Sequence, residues 1–259
     1  MMSYIKYAFS QYFTWLGYIA VIIGLVAVIP FDEKYNRIVL FIVLACFVLS
    51  FIIPFITAMV RRNFKILTVG RSDISFAFDD LFKEKCFVIT TNRHYDVNPN
   101  GEWVSPDSLL GIYVNKYFHN DIRSLETLIS AKLGSSVAPY EYGKTIKIHH
   151  DDKIVYLLAF TDRKKTKQPK DFYEKSLQSL FETIVNENHG KTIAIPLIGD
   201  NNNLSNSGFD SSAKTFKSLM AMINSFDTRH QTSGIKLKII ALPKKRAELI
   251  NVVHSYLKN

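Results

Sequence analysis

Cysteine is almost missing from this chain: 259 residues hold two, Cys46 and Cys86. Cys46 sits in an apolar run, Cys86 opens a predicted strand, and neither has a partner at metal-ligand spacing. That argues against a disulfide framework and fits a reducing compartment. Catalytic signatures are missing too. There is no GxSxG, no Walker A loop, no HExxH and no pair of CxxC motifs, so nothing marks a serine hydrolase, a P-loop nucleotidase or a zinc protease. Acidic residues are few, 23 against 32 basic ones, which leaves a net charge of +9. A basic chain suits anionic lipid, nucleic acid or a phosphate-bearing ligand, although a solvated basic surface is the commonest cause. No internal repeat or low-complexity tract appears.

Charge is absent altogether from two long stretches. Phe13 to Ile29 reads FTWLGYIAVIIGLVAVI, and Ile38 to Val60 runs 23 residues without a charge. A helix of that second length reaches roughly 34 Å, enough to cross a hydrocarbon core. The first run is shorter, but Phe9 and Tyr12 extend it. A signal peptide competes for it, yet there is no clear cleavage site and a second apolar run follows at once. The preferred reading is a transmembrane hairpin over residues 1–62, with spans at about 9–29 and 38–60. Arg61, Arg62 and Lys65 follow the second span directly, which puts the C-terminal side in the cytoplasm. The expected location is the inner or plasma membrane. Neither span carries a charge, so an ion pathway within one hairpin is unsupported.

From Asn63 the pattern becomes that of an α/β domain, with predicted strands NFKILTV, DISFAF, CFVITT, KTIKIHH, KIVYLLAF, KTIAIPLI and IKLKIIAL. Helical patterns lie between them, including SPDSLLGIYVNKYF with a serine cap and proline at its start, DIRSLETLISAKL, DFYEKSLQSLFETIVNEN and a helix opened by Asp210-Ser-Ser-Ala. This alternation implies a mixed or mostly parallel sheet covered on both faces. Ligands in such sheets bind past the carboxyl ends of the strands. The polar groups there are Asp79-Asp80, Asn92-Arg93 and the long segment from Gly199 to Phe209, which leads into a helix N-terminus where anions are favoured. Each has a plainer explanation: Asp79 or Asp80 as a helix cap, Asn92 as a turn residue, the long segment as a surface connector. Three on one sheet edge favour a binding cleft. HHDD, His149 to Asp152, suggests metal ligands, but adjacent strand residues face opposite ways. The run RKKTK, Arg163 to Lys167, reads as solvated or as touching anionic lipid.

Several of these segments resemble the macro domain family. ISFAFDDLFKEKCFVITTN, Ile74 to Asn92, looks like its opening. SLLG, Ser108 to Gly111, resembles its first ligand-facing loop. IPLIG with the small-residue loop after it is similar to its second phosphate loop. YGKTIKI followed by KIVYLLAFTD looks like the variant found in bacterial defence proteins. The resemblance implies a three-layer α/β/α macro domain with a mixed sheet over residues 63–259, which binds ADP-ribose or a related nucleotide. A two-helix anchor fused to it resembles the effector of type II Thoeris antiphage systems. That implies a ligand derived from ADP-ribose, namely ADP-ribose conjugated to histidine and made by a TIR-domain enzyme. It also implies homo-oligomerisation on activation and disruption of the membrane lipid. No metal, cofactor, catalytic residue or nucleic-acid partner is implied. Carried over by position, Asp80 would accept from the adenine amino group, with Asp79 and Leu81 beside it. Thr91 and Asn92 would sit near the distal ribose. Ser108, Leu110 and Gly111 would offer backbone N–H groups to the diphosphate. Leu197, Gly199, Asp200, Asn203, Ser207 and Gly208 would cradle it from the other side, with Phe209 packed near ribose or base. Asp79 stands where the family has glycine, the first loop lacks a glycine triplet and the second is asparagine-rich. These departures favour binding over hydrolysis, with a membrane-tethered ADP-ribosyl hydrolase or a recruitment module as the alternatives.

Overall fold

In a computed structural model of the chain, the described residues are 17, 48, 63–69, 71–119, 121–163, 171–188, 190–199, 211–230 and 234–256. The chain divides into two compact units, Met1–Arg62 and Asn63–Asn259. The expected hairpin falls on the first and lies outside the described residues, except for Gly17 and Val48, both helical. Among the described residues no helix is long and apolar enough to cross a membrane.

The second unit is built on a seven-stranded mixed sheet. Its strands are β1 Asn63–Val69, β2 Ser72–Phe78, β3 Cys86–Asn92, β4 Thr145–His150, β5 Lys153–Thr161, β6 Ile193–Pro196 and β7 Lys236–Ala241, in spatial order β1-β2-β7-β6-β3-β5-β4. The inner five are parallel, and the two edge strands pair antiparallel. Residue type explains the placement. CFVITTN in β3 is buried at six of seven positions, as a strand covered on both faces must be. In β4, TIKIHH buries only Ile146 and Ile148, an alternation that suits an edge.

Helices α1 Leu109–Tyr117, α2 Ile122–Leu133, α3 Phe172–Asn188, α4 Ser212–Arg229 and α5 Arg246–Tyr256 cover the sheet. Alternate strand residues serve the two faces. Ala77, Phe87, Ile89, Leu157 and Ala194 join Leu110, Tyr113, Leu125 and Ile129 of α1 and α2 in one core. On the other face Phe76 meets Phe216 of α4 edge-on at 5.5 Å, and Phe160 meets Phe172 of α3 at 5.3 Å. Phe76, Phe87, Phe160 and Phe216 are all but fully buried, and each such side chain contributes about 1.5–3 kcal/mol of transfer free energy.

Two expectations shift. The helix predicted from the Ser105 cap begins instead at Leu109, capped by Ser108. Ser105 and Pro106 lie back against it, because the Ser105 carbonyl accepts from both the Ser108 N–H and its hydroxyl. Strand β6 stops at Pro196, although Leu197 and Ile198 remain buried.

Candidate ligand-binding edge

Parallel pairing brings the carboxyl ends of β2, β7, β6, β3 and β5 to one edge. Phe78 pairs with Ala241, Ile240 with Pro196, and Asn92 with Thr161. Asp79-Asp80, Leu197–Gly199 and Asn92-Arg93 therefore share that edge, as the pattern of strands and polar groups predicts. Asp200, Asn203, Ser207, Gly208 and Phe209 lie outside the described residues. At the start of that segment Gly199 has φ of 97°, a conformation costly for any residue with a Cβ. The chain thus turns sharply where it leaves the sheet, and Tyr173 of α3 holds the turn by donating to the Ile198 carbonyl at 3.2 Å.

Asp80 caps the short 3-10 turn Leu81–Lys83, accepting from the Phe82 N–H at 3.0 Å. Asp79 accepts from Lys83 Nζ at 2.6 Å and from the Asp80 N–H at 2.8 Å. These bonds, the lysine's first, hold its carboxyl below the ordinary aspartate value. Leu81 is buried in the core.

Asn92 is 6% exposed and turns its amide to the following loop. Its oxygen accepts from the His94 and Asp96 N–H groups at 2.9 and 3.3 Å, and its nitrogen donates to Asp96 Oδ2 at 2.9 Å. Arg163, just past β5, closes on the same carboxylate with Nε at 2.7 Å and Nη2 at 2.6 Å. Burial opposes ionisation of Asp96, but the bonds from Arg163 and Asn92 prevail and keep its pKa low. The Thr91 hydroxyl bonds the Asp96 carbonyl at 3.5 Å. The turn role of Asn92 is therefore the one the structure displays.

The first loop departs from its expected chemistry. The Ser108 N–H donates to the Ser105 carbonyl at 3.0 Å, and the Gly111 N–H donates to Ser108 Oγ at 3.0 Å. Of the three N–H groups assigned to a diphosphate, that of Leu110 alone keeps no bond within the described residues. Gly111 is needed for a different reason: a Cβ there would stand 2.2 Å from the Ser105 carbonyl oxygen and 2.8 Å from Pro106 Cα. The N-terminus of α4 also has an anion already. Ser211 caps it by accepting from the Lys214 N–H, and Glu248 of α5 takes the Ser212 N–H at 2.5 Å.

The family profile described as "Thoeris protein ThsA, Macro domain" matches residues 74–241. The chain belongs to this family. Among solved structures it is similar to a macrodomain of Oceanobacillus iheyensis. A glycine-to-valine mutant with ADPR aligns at 15% identity and TM-score 0.50, over 76% of this chain and 97% of that one. An asparagine-to-alanine mutant aligns at 15% and 0.52, over 76% and 92%. The form with ADP aligns at 15% and 0.50, over 76% and 95%. At that identity the likeness shows the fold. No curated protein matches the chain.

In this ThsA-type macro domain the sequence pattern leaves three contributors unseen. Asp96 carries a faint signal, four residues after Asn92. Arg163, read within RKKTK as solvated or touching lipid, pairs with Asp96 instead, and neither it nor Glu248 carries a signal of its bond, since their partners lie 67 and 36 residues away in the chain. The HHDD turn also resolves differently from a metal site: His150 stacks on Phe118 at 4.1 Å and meets the Tyr117 carbonyl at 3.1 Å. Among the described residues no three His, Cys, Asp or Glu side chains gather as metal ligands. Cys86 is buried, which pushes its thiol up to about 11.

Proposed function

We propose that this chain is a membrane-anchored antiphage effector whose macro domain senses an ADP-ribose-derived nucleotide. Membership of the ThsA macro family carries the reading, and the polar strand ends support it. Asp80 keeps one carboxylate oxygen beyond its cap bond and meets the adenine amino group. The Leu110 N–H and the segment from Gly199 onward take the diphosphate, with Asn92 shaping the wall at the distal ribose. The signal is ADP-ribose conjugated to histidine, supplied by a TIR-domain enzyme. Its binding drives assembly of many copies, because a hairpin of two uncharged helices lines no wide pore alone, and the assembly disrupts the membrane. Ligand shifts assembly only by its differential affinity for the assembled state. The chain acts by binding, without a catalytic residue.

Calorimetry on the full chain in detergent, titrated with ADP-ribose and with the histidine conjugate, tests this. Heat from at least one is expected, and Asp80→Ala should weaken binding by about 1–3 kcal/mol. No heat with either ligand refutes the reading. Conversion of an ADP-ribosylated substrate to free product would replace it with a hydrolase.

A further inference from the structure

RKKTK, the run open to contact with lipid, gives up Arg163 to Asp96. A second basic run, Lys244-Lys245-Arg246, lies at the carboxyl edge of the sheet. β7 ends at Ala241, and a 3-10 turn over Pro243–Lys245 leads straight into α5 at Arg246. Three consecutive cations thus stand at a helix start, where the helix dipole disfavours positive charge. Little offsets them. Glu248 lies 3.8 Å from Lys245, and its other oxygen takes the Ser212 N–H. Lys244 is exposed, and its ammonium has no hydrogen bond or ion pair among the described residues. The Arg246 guanidinium lies 5.7 Å from the centre of the Phe78 ring, which places the run beside the end of β2.

The chain enters the domain at the same edge. β1 is antiparallel to β2, with Asn63 opposite Ala77, and β2 is parallel to β7, with Phe78 beside Ala241. Two strand spacings, about 10 Å, therefore separate the start of β1 from the end of β7. Asn63 follows Val60, the end of the charge-free run, by three residues, and three residues reach at most about 11 Å. Arg61, Arg62 and Lys65 add cations to that stretch of sequence. A lipid surface is the partner within this reach, and anionic headgroups supply the negative charge that the run lacks.

We infer that Lys244, Lys245 and Arg246 form a docking surface for anionic lipid headgroups, which seats this end of the strand-end edge on the membrane. The membrane half of that statement rests on the anchoring proposed above.

Full-length protein in nanodiscs of phosphatidylcholine, with or without phosphatidylglycerol, gives the test. Lysines are acetylated with a neutral reagent, and the rate at each is read by mass spectrometry. Lys244 and Lys245 should react roughly three- to sevenfold more slowly in the anionic discs, the factor by which the surface potential there depletes free amine. Molar salt should abolish the difference. Lys132 is the control. Its helix, α2, packs against β4, four strand spacings or about 19 Å from β7 across the sheet. That exceeds a Debye length, so its rate should not change. The double variant Lys244→Gln, Arg246→Gln should recover most of the rate at Lys245. Equal rates in the two discs, equal slowing of Lys132, or a double variant still fully slowed at Lys245 would each overturn the docking. Slowing by inorganic phosphate in the neutral discs would overturn it too, and assign the run to a soluble anion. Failure of the chain to enter either disc would overturn the anchoring, and the docking with it.

Discussion

Replacing Asp96 by alanine tests the loop that walls the site. Three side-chain bonds end on this carboxylate, from Asn92 Nδ2, Arg163 Nε and Arg163 Nη2. Their values differ because their surroundings differ. The Arg163 side chain is 40% exposed, so its pair with Asp96 contributes at most about 1 kcal/mol despite good fork geometry. Asn92 is buried, and stripping its amide of an acceptor costs about 1–3 kcal/mol. Together the loss is about 1–4 kcal/mol. For a domain of this size that lowers the melting temperature by about 2–16 °C. Asp96→Asn keeps an acceptor for Asn92 and loses the charge and the oxygen that takes Arg163 Nη2, an exposed pair, so its loss stays within about 1 kcal/mol. Thermal melts of the full chain in detergent, followed by circular dichroism at pH 7, give the comparison. The sign with pH is fixed too. Asp96 has a lower pKa folded than unfolded, so its contribution is complete above the unfolded value. It is lost as pH falls through the folded one. The gap between wild type and Asp96→Ala should be level from neutral pH down to about 5 and shrink below about 4. A gap under 1 °C at pH 7, or Asp96→Asn as damaging as Asp96→Ala, would refute the assignment of the cost to Asn92.

Gly111→Ala forces a Cβ against the backbone of Ser105 and Pro106, and overpacking of that kind costs about 1–3 kcal/mol. The gain in helix propensity of about 1 kcal/mol offsets part of it. A net fall in melting temperature is expected, and a rise would show that residues 105–107 are not held against α1. Glu248→Gln removes the charge that meets the Ser212 N–H at the start of α4, at a cost of about 0.3–1 kcal/mol. Unchanged or higher stability in a melt at low salt would show that the N-terminus of α4 is not served by this carboxylate.

The architecture was legible because burial is written into residue type along the chain. CFVITT and KIVYLLAF are apolar apart from Thr90, Thr91 and Lys153, so they had to be interior strands, and the helical spacing of Phe172, Leu177, Leu180 and Phe181 had to face the sheet. The polar strand ends were legible for the same reason: they are where apolar runs stop. What the pattern could not carry was the choice of hydrogen-bond partner. A serine followed by proline looks like a helix start, yet Ser105 serves Ser108 instead, and only tertiary contact with Gly111 decides it. The SLLG motif suggests three donors for a phosphate, but Ser108 and Gly111 spend theirs on the chain itself. Glu248 likewise fills the helix terminus that the asparagine-rich segment leads into. Backbone donors claimed internally do not discriminate between ligands. A side chain on this edge with unspent capacity is that of Asp80, whose cap bond uses one carboxylate oxygen.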